Sequence, residues 1–295
     1  MGRLQRSWDL AKSSWNVLKS ERELAVLPFL SMLASLLVLG LFALAIWATL
    51  GKETGVDGTT THSANVATYL LAAAMYFGLA FVQTYFLAAL CAGANACLMG
   101  SPTSVGDSLS VANNRLHRIV PWAALTATVT IVMQAIEQRA GIIGRIVISL
   151  LDFAWTVLTF LTVPIIVFED LGPIDALKRS GTLLKQTWGE NLIAQLGFGA
   201  LGAVLNIPAM LVIFLGIAAG GVVLVLAVAI GVLWLVAAAV VLAALSGIYR
   251  TALYRYAVDG KVPDAFAGAG LEQAFGPRKS RGSGFGGFGG GFAGS

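Results

Sequence analysis

Residues Asn191–Tyr249 read NLIAQLGFGALGAVLNIPAMLVIFLGIAAGGVVLVLAVAIGVLWLVAAAVVLAALSGIY, 59 residues without one charged side chain. A membrane-crossing helix needs about 20 apolar residues, so this stretch has room for two. A helix at the surface of a soluble domain keeps a polar face, and none is present here. Two further runs behave alike. Leu24–Gly51 is uncharged, and Gly58 to Gly106 holds no Asp, Glu, Lys or Arg, with His62, Cys91 and Cys97 its ionisable groups besides tyrosines. Over the whole chain 12% of residues are charged and 57% hydrophobic, with a mean hydropathy of +0.82. Soluble domains carry roughly 25% charged residues. The class that follows is an all-α integral membrane protein.

Spans are expected at 25–50, 66–92, 119–137, 143–168, 191–215 and 221–247, with the last turn among Gly216-Ile217-Ala218-Ala219-Gly220-Gly221. Some 23 polar and amphipathic residues precede the first span, whose apolar run exceeds the 7–15 residues of a signal h-region. That span is therefore expected to remain as an anchor. With the N-terminus inside, 16 of the 19 basic residues fall on the cytoplasmic side. Lys52, Arg139 and Arg145 fall outside. This is a strong positive-inside bias, and it places both termini in the cytoplasm. It also accounts for the pI near 9.2 without a nucleic-acid partner, for which no motif is present.

An amphipathic segment precedes each predicted pair of spans, near 3–22, 103–118 and 173–188. In the first, Leu4, Trp8, Ala11, Trp15 and Leu18 form one stripe at helical spacing. The third repeats it as Leu177, Gly181, Leu184 and Trp188, and the middle one as Val105, Leu109, Ala112 and Leu116. Trp on the apolar side with Lys or Arg on the flanks suits the membrane interface, which makes Trp8, Trp15 and Trp188 the expected anchors. The same stripe could instead pack against the protein's own spans as an elbow, and the two can coexist. Pro102 and Pro173 are expected at the helix starts, with Asp107 and Asp175 in the first turns. Each unit runs in, out and back in. The fold expected is six transmembrane helices in three parallel repeats, each an interfacial helix followed by a transmembrane hairpin. The repeats are about 1–100, 101–170 and 171–260 of a 1–260 membrane domain. A segment over 261–280 has room for a short helix, and the Gly/Phe-rich tail 281–295 has the composition of disorder.

Arg6-Ser7-Trp8, Phe168-Glu169-Asp170, Ala176-Leu177-Lys178-Arg179-Ser180 and Leu253-Tyr254-Arg255-Tyr256-Ala257 resemble a prokaryotic family of multi-spanning integral membrane proteins of unknown function. The resemblance covers about residues 1–276. It implies a bacterial or archaeal plasma membrane and supplies no activity. A weaker likeness is to the membrane domains attached to some glycerophosphodiesterases, whose catalytic part has no counterpart here.

Ionisable groups inside spans are candidate functional residues. Asp152 lies about 8 residues into the fourth predicted span, roughly 12 Å at 1.5 Å per residue, with Arg145 on the same face. It reads as a structural carboxylate, paired with Arg145 or hydrogen-bonded to Gln134. The competing reading makes it a coupling site for protons or cations. Asn206 precedes Ile207-Pro208, where a broken helix would offer a ligand site; a plain kink is the simpler expectation. Cys91 and Cys97 read as packing residues, and His62 and His117 as isolated. No catalytic motif, metal-ligand spacing or cofactor fingerprint is found. The expected function is a non-enzymatic membrane-organising, accessory or lipid-contacting protein. Membrane lipid is its expected partner and other membrane proteins further candidates. The alternative is a small-molecule or ion transporter using Asp152.

Overall fold

Long apolar stretches have no water-side partner for their backbone except themselves, and helix dominates the computed structural model accordingly. The model describes residues 12–19, 21–49, 51–54, 60–63, 65–187 and 196–260. Helix α1 covers 12–19, and a 3-10 turn at Arg22–Ala25 leads into α2, Val26–Thr49. A short antiparallel ribbon follows, β1 Gly51–Thr54 and β2 Thr60–Ser63, with Lys52 opposite His62. This departs from a purely helical chain: the Thr-rich segment at 59–61 favours extended backbone. Then come α3 Val66–Leu98, α4 Val105–Asn114, α5 Leu116–Arg139, α6 Ile142–Thr159, α7 Thr162–Glu169, α8 Pro173–Thr187, α9 Leu196–Ala219 and α10 Gly221–Asp259.

Among the described residues, five helical stretches are long and apolar enough to cross a membrane: Glu23–Thr49, Val66–Leu98, Leu116–Arg139, Gly144–Glu169 and Gly221–Asp259. They mark a multi-pass membrane protein. The remaining expected span, 191–215, overlaps α9, whose apolar described part, Leu205–Ala219, is shorter. The expected turn at 216–221 narrows to Gly220 and Gly221, which take φ of 67° and 57°. Glycine alone enters that region freely.

Several boundaries differ from the expectation: α10 runs to Asp259, past the expected end at 247, and α3 to Leu98, past 92. The amphipathic segment 103–118 is not one helix. Ser104 caps α4 by accepting from the Asp107 N–H at 3.1 Å, Pro102 lies before that cap, and Arg115 breaks the helix from α5. Asn113-Asn114 sustains helix poorly. The fourth span breaks at Phe160-Leu161 because Pro164 has no N–H to return to Phe160.

Burial is uneven along the helices. Leu24, Leu27, Ile119, Leu161, Ile165, Ile248, Tyr249 and Leu253 are fully enclosed, and all sit at the bundle end where α4 and α8 gather. The opposite half turns Leu37, Leu44, Tyr69, Leu150, Phe214 and Val222 outward. An apolar exterior of this extent needs a non-aqueous cover. The amphipathic helices pack inward at the enclosed end. Helix α8 buries Ala176, Ser180, Leu183 and Leu184, and α4 buries Ser108 and Ala112. On α1 the register differs from the expected stripe. Ser14, Val17 and Leu18 are buried, while Trp15 is 40% exposed beneath Lys19 Nζ at 5.9 Å. Trp8 and Trp188 lie outside the described residues.

Candidate functional site

The polar chemistry gathers at the enclosed end, around the Glu169-Asp170 corner between α7 and α8. Asp170 takes φ 54° and ψ 33°, a left-handed conformation that short acidic side chains tolerate better than most. The adjacent carboxylates serve different helices. Glu169 accepts from Arg179 Nε of α8 at 3.1 Å and from Tyr254 Oη of α10 at 3.1 Å. Asp170 meets Arg115 Nη1 at 3.0 Å, Arg118 Nε at 3.3 Å and His117 Nε2 at 3.3 Å. Desolvation pushes the Asp170 carboxyl upward, but Arg115, Arg118 and His117 outweigh it and hold it below its ordinary value. Arg115 Nε also donates to the Val167 carbonyl at 3.0 Å.

Aromatic and amide groups extend the network. Phe168 stacks on Tyr254 with centroids 5.3 Å apart, and Arg255 lies 5.7 Å over Phe168. Arg255 Nε reaches Asn95 Oδ1 of α3 at 2.6 Å. Helices α3, α5, α7, α8 and α10 are thus tied at one level. Ser180 Oγ adds a bond from α8 to the Leu158 carbonyl at 2.6 Å, just before the Pro164 break.

Deeper in the bundle lies a cavity of about 400 Å³. Helices α2, α3, α5, α6, α7 and α10 contribute to its wall. Ser31, Thr84 and Ser246 bring hydroxyl groups, and Leu87, Leu90 and Trp122 bring apolar surface. Gln83 and Ala243 border it and are exposed. Arg250 also lines it. Its Nε is enclosed and has no hydrogen-bond partner; its guanidinium lies 4.5 Å from the Phe160 ring centroid. The residue as a whole keeps intermediate exposure.

The residues singled out from sequence are dispersed. Asp152 and Arg145 are both exposed on α6, and among the described residues no ion pair joins them. Gln134 accepts from Tyr76 Oη at 2.8 Å instead. Asn206 Oδ1 is enclosed without a hydrogen-bond partner, in α9, which continues through Pro208. None of these four lines the cavity. His117, read as isolated, is part of the Asp170 cluster. Cys91 is buried and Cys97 half-buried, and neither is in a disulfide. Arg250 was missed because a cation just beyond an apolar run reads as an interfacial flank. The signal for the corner was present: Phe168-Glu169-Asp170, Arg179-Ser180 and Tyr254-Arg255 are the segments that carry the family resemblance, and they converge in space.

A family model matches residues 65–264, described as a family of unknown function (DUF6159). The chain belongs to this family. The matched region holds the whole corner network and every cavity residue except Pro28 and Ser31. Neither the curated proteins nor the solved structures yield a match.

Proposed function

We propose that this chain is a non-enzymatic, lipid-contacting protein of a prokaryotic plasma membrane. In this reading both termini and the charged corner face the cytoplasm. The three units, each an interfacial helix and a hairpin, run parallel, so that α1, α4 and α8 lie as elbows at the inner interface. The observation that carries this reading is the contrast between the two halves of the bundle. One end is tied by buried apolar residues and ion pairs, and the rest presents large apolar side chains outward. The 16 to 3 distribution of basic residues agrees with the tied end being cytoplasmic. Trp15, exposed beside Lys19, has the amphipathic character of an interface anchor.

Transport coupled through Asp152 draws less support, since Asp152 stands off the cavity and faces outward. Spin labels at residues 15 and 44 in proteoliposomes test the lipid-contacting reading. Position 44 is expected to be accessible to oxygen and shielded from an aqueous nickel chelate, and position 15 to lie at headgroup depth. Full chelate access at position 44 overturns it.

A further inference from the structure

Among the described residues, Arg250 is a cation without an anion: no carboxylate pairs with it, and its Nε has no acceptor. Two acids of the corner and of α10 are engaged elsewhere: Glu169 holds Arg179 and Tyr254, and Asp259 holds Arg255. Phe160 offers its ring face, a modest partner for a guanidinium. An enclosed charge is costly unless paired, and a guanidinium presents a fork of donors suited to phosphate or carboxylate oxygens. The cavity that Arg250 lines gives such a group a route to it.

The cavity defines that group. Its volume of about 400 Å³ is in the range of small-molecule sites. Ser31, Thr84 and Ser246 add hydroxyl groups to the arginine, while Leu87, Leu90 and Trp122 make the rest apolar. A wall of this kind suits a molecule with an anionic end and a hydrocarbon remainder. The exposed border at Gln83 and Ala243 lies within the apolar spans α3 and α10, which gives the entrance a hydrocarbon surround.

We propose that the cavity binds one anionic phospholipid, its phosphate paired with Arg250 and its acyl region against Leu87, Leu90 and Trp122. This rests on the lipid-contacting reading and assigns it a specific site. A soluble phosphate shares the headgroup chemistry and lacks the apolar part.

The full chain in a mild neutral detergent is titrated with phosphatidylglycerol, phosphatidylcholine or inorganic phosphate. Thermal stability and the lipid retained in native mass spectrometry are read. Phosphatidylglycerol is expected to bind saturably at one copy and to stabilise. Arg250→Gln is expected to weaken it about tenfold, the effect of losing a charged hydrogen bond, and Arg250→Lys less. Ala243→Trp, at an exposed position, narrows the cavity border and should weaken the lipid without unfolding the protein; it decides the matter if Arg250→Gln fails to fold. Arg145→Gln, at a position that is not part of the cavity wall, serves as the control. Phosphatidylcholine carries the same phosphate balanced by its own choline cation, so its equal binding overturns the preference for an anionic phospholipid. Inorganic phosphate that stabilises alone and displaces the lipid overturns the amphiphile in favour of a free anion. Binding unchanged in both Arg250→Gln and Ala243→Trp places the lipid elsewhere. That last result leaves the wider lipid-contacting reading intact, because the spin labels at 15 and 44 test it separately.

Discussion

Tyr254 donates its hydroxyl to Glu169 Oε1 at 3.1 Å across 85 residues of sequence. The bond joins α10 to the end of α7, and Arg179 of α8 approaches the same carboxylate. Three elements thus share one anion. Tyr254→Phe keeps the stacking on Phe168 and removes one hydrogen bond, a loss of about 1 kcal/mol. Glu169→Gln strands Arg179. Because Arg179 is 38% exposed, solvent screens the loss and the expected cost is about 1–2 kcal/mol. Thermal unfolding of both single variants and the double variant in detergent measures the coupling. Strict additivity would show that the shared carboxylate does not couple them.

Asp170 gives a pH dependence of known sign. Its carboxyl titrates lower in the folded protein than in an unfolded chain, held down by Arg115, Arg118 and His117. The stabilisation is therefore fully present above the unfolded value, near 3.9, and fades as pH falls through the lower folded value. Asp170→Asn should be less stable than wild type at pH 7, with the difference closing below about pH 4. Unfolding scans from pH 7 to pH 3 read this. A difference that widens on acidification would contradict it.

Helices α3 and α10 approach closely at Gly247. A Cβ added there would collide with the Leu90 side chain, which is buried. Gly247→Ala normally favours helix, but here overpacking should dominate and destabilise by about 1–3 kcal/mol. Gly40, with open space around it, is the control, and Gly40→Ala should be neutral or stabilising. A stabilised Gly247→Ala variant would mean that the crossing is looser than described.

Membrane class and the placing of the long apolar helices were the most legible features of the sequence, because apolar run length answers directly to the bilayer. The uncharged runs marked helices that the structure contains. Periodicity located α8, which begins at Pro173; of its expected stripe Leu184 is buried, while Leu177 and Gly181 are half-buried. It left open which way Trp15 faces, since hydrophobicity alone does not separate a side that meets lipid from one that meets protein; in the structure Trp15 is exposed. The corner was legible only as fragments. No spacing rule connects Glu169 to Tyr254, or Asp170 to Arg115, because the contacts depend on how helices cross. Arg250 was hidden for the same reason. Asp152 attracted notice as a lone acid in an apolar run, yet it faces outward on α6, and a one-dimensional reading has no means to tell the two sides of a helix without a polar stripe.

Sidedness is the most direct test. In a background with Cys91 and Cys97 replaced by alanine, single cysteines are introduced as Asp57→Cys and Ser280→Cys. Both positions lie outside the described residues. Intact cells are treated with a membrane-impermeant maleimide before and after permeabilisation. A charged corner at the cytoplasmic face predicts labelling of residue 57 in intact cells and of residue 280 only after permeabilisation. Labelling of residue 280 in intact cells, with residue 57 protected, would contradict it.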